Sequence, residues 1–157
     1  MNKHAVAAAT MLLMGACAKP QPEDPARERP VPAARQPTVD PKSNAAAEEL
    51  VGGFAQLLRT GRFDEAYMLL GPNAPTRNAF DADFARIRGL DVSVGQAGDQ
   101  EGAAGSIYVS VPLIISGSQG GRRVRRSGKA VLRRVNDVPG STEAQRHWHV
   151  ERIEWDR

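Results

Sequence analysis

The sequence predicts an α+β fold: three helices followed by a four-stranded antiparallel meander. Three observations carry this. Between positions 44 and 89 apolar residues recur at three- and four-residue spacing, the period of a helix with one buried stripe. From 90 to 156 they alternate, the period of a strand with one buried face. Before position 44 neither pattern is present, so the fold must come from about 114 residues, a normal size for a single core.

The first helix is bounded by a capping residue at Ser43 or Asn44 and by Thr60-Gly61. Leu50, Val51, Phe54, Leu57 and Leu58 make its stripe, and Glu48 and Glu49 suit the positive end of its dipole. A second, shorter helix turns Phe63, Ala66, Tyr67 and Leu70 inward and stops at Gly71-Pro72. A third starts near Pro75 or Thr76, carries Phe80, Phe84 and Ile87 on one side, and closes at Gly89.

The strands follow. Leu90–Gln96 alternates weakly, and Gly95, Gly98, Gly102 and Gly105 mark a loose turn. Ser106–Gly117 is the strongest strand, with Ile107, Val109, Val111, Leu113 and Ile115 on one face. A glycine-rich connection (Gly117–Gly121) leads to the partner strand, Arg122–Val135, with Val124, Ala130 and Leu132 inward. A polar loop with Pro139-Gly140 precedes the last strand, about His147–Asp156. If that strand is regular, Trp148 faces inward and Trp155 outward, because seven positions is an odd spacing; a bulge between Val150 and Ile153 would turn both inward.

Residues 18–43 have a different composition. Seven of the chain's 11 prolines lie there, among charges of both signs. Such a segment buries too little apolar surface to offset its ordering entropy and is expected to be a disordered spacer with polyproline II character. At ~3.1 Å per residue it reaches at most about 80 Å. The formal net charge is +3, and losing Lys3 with an N-terminal segment leaves near +2. So small an excess does not predict nucleic acid as a partner.

Lys3, the apolar run Ala5–Met14 and the small residues Gly15 and Ala16 read as a secretory signal peptide over residues 1–16. The run is about half the ~20 residues that a membrane-spanning helix needs. Met14-Gly15-Ala16-Cys17 resembles the lipobox of bacterial lipoproteins. The resemblance implies a mature chain beginning at Cys17, lipidated there and tethered to a membrane by two or three acyl chains. Ala18, where an aspartate would signal retention, implies sorting to the outer membrane, facing the periplasm.

The Gly61-Arg62-Phe63-Asp64-Glu65-Ala66 turn between the first two helices, and the closing Trp148-x-Val150-x-x-Ile153-x-Trp155, resemble nuclear-transport-factor-2-like (NTF2-like) domains. The resemblance covers residues 44–157. It implies three N-terminal helices packed on a curved four-stranded antiparallel sheet, a cone with an open end. The segment Leu69–Arg77 is too short for the strand pair this family often inserts, which implies a trimmed cone. The family includes isomerases, dehydratases, binding proteins and scaffolds, so activity must be argued from residues.

Four residues are candidates for a pocket. His147 and His149 are two apart on a predicted strand and share a face, but spacing places no third ligand beside them, so no metal or other cofactor is assigned. Tyr67 and Tyr108 are the phenols that could accompany Asp81 or Asp83 in a site of the ketosteroid-isomerase kind, which that resemblance alone would imply. Core packing explains Tyr67, capping explains the aspartates, and Glu151 reads as a surface residue beside Arg152, so no catalytic residue is assigned. The second feature is a basic strand. Alternation puts Arg123, Arg125, Lys129 and Arg133 on one side. Such charges protect an edge from pairing, or they form a patch for an anionic envelope component or an envelope protein. The expected function is therefore a tethered, non-enzymatic binding domain. The alternative is a small pocket enzyme or small-molecule carrier.

Overall fold

Helix α1 (Asn44–Arg59) starts where the proline-rich stretch stops, in a computed structural model that describes residues 39–157. The signal-peptide segment, Cys17 and the linker as far as Thr38 lie outside the described residues. Ser43 Oγ caps the helix by accepting the Ala46 N–H at 3.2 Å. Ala47, Val51, Phe54, Ala55 and Leu58 are buried along its stripe. Glu48 is not spent on the dipole alone: its carboxylate accepts the Ala97 N–H at 2.6 Å and ties the helix to the sheet's edge. At the other end Arg59 donates to the Val92 carbonyl at 2.9 and 3.2 Å.

Helix α2 (Phe63–Met68) buries Ala66 and half-buries Phe63 and Tyr67. The chain then becomes part of the sheet's border. Leu70 forms a parallel bridge with Val150, with Val150 N–H on the Leu69 carbonyl (3.1 Å) and Gly71 N–H on the Val150 carbonyl (2.9 Å). Helix α3 (Arg77–Asp83) is capped by Thr76 and ends earlier than the apolar spacing through Ile87 predicts. Phe84 terminates it and is still buried, so a turn satisfies the same spacing. Phe54, Phe80 and Phe84 pack mutually, with centroids 5.0–6.4 Å apart.

The sheet has five strands: β1 (Arg88–Val94), β2 (Glu101–Ala103), β3 (Ser106–Gln119), β4 (Arg122–Val135) and β5 (His149–Trp155). All pairings are antiparallel, in the order β1-β3-β4-β5, with β2 also on β3. The expected loose turn therefore contains a strand. Between β1 and β2 the chain keeps to β3, with Gly95 N–H on the Pro112 carbonyl and Gly98 N–H on that of Ser110. The expected polar loop contains a short fourth helix, α4 (Glu143–Arg146), started by a Thr142/Gln145 capping box.

The β3–β4 hairpin organises the sheet. Gly120 and Gly121 both have positive φ, 58° and 79°, which suits the two-residue turn that matches strand twist. Register then runs without a break from Gln119↔Arg122 to Ser106↔Val135. Val109, Val111, Leu113 and Ile115 meet the helices, together with Ala130, Leu132 and Val150. We call this the inner face.

β5 is not regular. Ala130 pairs with Ile153 and Val131 with Arg152, but Leu132 pairs with Val150. Glu151 is the extra residue of a bulge. Ile153 and Trp155 are thereby returned to the face of Val150 and pack against the core. The Trp155 ring lies 6.0 Å from that of Phe84, and Trp148 is buried. The regular-strand expectation is thus corrected, and the bulged one describes the chain. Gly128, opposite Trp155, has no room for a side chain, since a Cβ there would overlap the Glu154 carbonyl and touch the indole.

Candidate functional site

What the helices leave uncovered is the outer face of the sheet. Paired residues share a face, so the register maps this surface. One row crosses four strands as Glu101, Tyr108, Arg133 and His149. The next contains Ser110, Val131 and Arg152, and the next Pro112, Lys129 and Glu154. Further along lie Ser116 and Arg125, then Ser118 and Arg123. Arg123, Arg125, Lys129 and Arg133 do share this face.

Their surroundings divide them. β5 ends opposite Gly128, so β4 runs on from Ser127 to Arg122 with no strand beside it on that edge. Arg122, Arg123 and Arg125 are exposed there and meet no carboxylate among the described residues. Arg126, on the inner face, is different: its guanidinium binds Asp83 at 2.9 Å and lies 3.9 Å from the centre of the Trp155 ring. Lys129 is paired with Glu154 at 3.2 Å, and Arg152 reaches the same carboxylate at 2.7 Å. These two cations hold the Glu154 carboxyl below the usual carboxylate range. Arg133 lies over the Tyr108 ring at 5.9 Å and donates to Ser106 Oγ at 3.1 Å.

The bulge places Glu151 where sequence reasoning did not look. It is only 7% exposed. One carboxylate oxygen accepts from Asn73 at 2.6 Å and the other meets His149 Nε2 at 3.1 Å, with Arg133 4.0 Å away. Burial pushes its pKa up, but the hydrogen bonds from Asn73 and His149 and the charge of Arg133 outweigh that and bring it below 4.5. Among the described residues no group of three metal-binding side chains comes together.

The other candidates are scattered. His147 is exposed and precedes β5, so it does not share a strand with His149. Tyr67 donates its hydroxyl to the Pro75 carbonyl at 2.9 Å and packs edge-on against Phe80, whereas Tyr108 is on the outer face. Asp81 is paired with Arg77 at 2.8 Å. Asp83 accepts from Arg126 and, at 3.4 Å, from the Trp155 indole, beside a cavity of ≈ 260 Å³. The interior behind it is filled by Phe54, Phe80, Phe84 and Trp148. Among the described residues no helix is long and apolar enough to cross a membrane. Comparison with models of known protein families, and with curated proteins, gives no match for this chain.

Proposed function

We propose that the chain is an envelope lipoprotein, lipidated at Cys17 and held at the outer membrane facing the periplasm. Its NTF2-like domain is a non-enzymatic module that binds an anionic envelope component. The observation that carries the reading is the open end of β4, where Arg122, Arg123 and Arg125 stand without acidic partners among the described residues. Guanidinium groups take phosphate or carboxylate oxygens in bidentate pairs, and nearby positive charges add to the attraction. A filled interior argues in the same direction, because a pocket enzyme needs room around its reacting groups. Helices that precede the sheet and pack on one of its faces fit the NTF2-like assignment.

Two experiments test the two halves. For the anchor, Cys17→Ser is expected to remove the protein from the membrane fraction, and inhibition of the lipoprotein signal peptidase to block processing of the parent. Unchanged fractionation and processing would dismiss the anchor. For binding, the chain from Ala18 to Arg157 is mixed with vesicles containing anionic phospholipid. Binding is expected to fall steeply in the Arg123→Glu/Arg125→Glu variant, and in high salt, since exposed charges are screened beyond ~8–10 Å at physiological ionic strength. Equal binding by the variant would rule out the open end of β4 as the recognition surface.

A further inference from the structure

We propose that the outer face of the sheet carries a second site, a trough for a short zwitterionic peptide lying across the strands. The trough has a volume of ≈ 460 Å³, within the range of ligand clefts. Its floor is Val131, with Tyr108 beside it. Val131 is 4% exposed, the one buried residue of the outward-facing row of β4. One rim is acidic. Asp99 and Glu101 stand there exposed, and neither carboxylate is hydrogen-bonded or ion-paired among the described residues. The opposite rim is basic. Lys129 and Arg152 share the single carboxylate of Glu154, which leaves one positive charge in excess.

The chemistry follows from these three parts. Uncompensated carboxylates on one side select an ammonium group, and the surplus cation on the other selects an anion. The apolar floor between them selects a body with little polarity. Strand spacing sets the length. β2 is two strands from β4 and three from β5, which at ~4.8 Å per strand separates the rim backbones by about 10–14 Å. An extended peptide spans ~3.5 Å per residue, so about three residues, with a free amino and a free carboxyl end, bridge the gap. Phosphoethanolamine, a zwitterion of lipid headgroups, holds its charges too close together to touch both rims. The trough is also separate from the open end of β4: Arg125 is four residues from Lys129, ~13 Å along the strand.

The test is an NMR titration of the unlipidated mature chain (Cys17→Ser) with trialanine. Saturable shifts are expected at the amides of Glu101, Tyr108 and Val131. N-acetyl-trialanine and trialanine amide are each expected to bind about tenfold more weakly, the loss of one charge-assisted hydrogen bond. In Asp99→Asn/Glu101→Gln the acetyl group should cease to matter, and in Lys129→Met/Arg152→Met the amide should. No saturable shift at millimolar trialanine overturns the proposal. So does equal binding of the blocked peptides to the parent chain, a comparison that needs no variant to fold. Phosphoethanolamine binding as well as trialanine would overturn the peptide reading in favour of a headgroup.

Discussion

β4 carries two surfaces that differ at every second residue. Toward the helices it presents Ala130 and Leu132, fully buried, and Gly128 pressed under Trp155. Away from them it presents Arg123, Arg125 and Lys129, all exposed. The inner surface is bound by packing, where each missing methylene leaves a cavity. The outer surface is bound by nothing comparable, so its side chains are free to be chosen for what they contact. The contrast teaches where to look for function in a domain whose interior is full.

The contrast can be broken at the core first. Phe80→Ala, which removes a ring touching Phe54, Tyr67 and Phe84, should cost ~3–5 kcal/mol in denaturant unfolding. A loss near zero would mean that the aromatic cluster does not hold the helices to the sheet.

Trp155→Ala comes next, at about 2 kcal/mol, below the cost for a fully buried tryptophan. The ring is half-exposed but rests on Phe84 and under Arg126. A negligible effect would restore the regular strand and put Trp155 outside.

Glu151→Gln should cost about 1–2 kcal/mol at neutral pH, the scale of a charge-assisted hydrogen bond. The sign of its pH dependence is fixed by the lowered pKa. Stability from this carboxylate is present above about 4.5 and is lost as pH falls below that through the folded value. Unfolding followed from pH 7 to 3 should therefore show a flatter curve for the variant than for the parent. Parallel curves would remove Glu151 from the acid response.

The smallest effect belongs to the open end of β4. Arg123→Glu should change stability by no more than about 0.5 kcal/mol, measured by thermal melting. A large loss would show that this arginine has a structural partner.

The parts of this contrast that sequence could reveal are those with a period. The α1 stripe, the β3 alternation and the Gly120-Gly121 turn are local patterns, and the structure contains each element they predict. β2 was illegible because Glu101-Gly102-Ala103 is exposed throughout and has no apolar period. Helix α4 had a signal, Thr142 three residues before Gln145, but no apolar face to reinforce it. In the candidate site, period placed the four cations on one face. It could not separate open Arg123 and Arg125 from paired Lys129, because the neutralising Glu154 is brought by β5 from 25 positions away. Glu151 was hidden for a related reason: the odd spacing of Val150 and Ile153 allows a bulge between them but does not say which residue it buries or what that residue meets.

That bulge acts as a phase shift of half a period. Upstream of it the even-numbered residues of β5 point inward, and downstream the odd-numbered ones do. A β5 that kept Glu151 but paired it regularly with Val131, without the bulge, would have the same composition and lose its parity. Ile153 and Trp155 would emerge beside Lys129 and Val131, and Arg152 and Glu154 would be driven toward Phe84. A slip of one residue in pairing would turn the last strand inside out, leaving a sticky apolar edge at the C-terminus and charges with no water around them. Deleting Glu151 itself would instead remove the bulge and leave Ile153 and Trp155 facing inward.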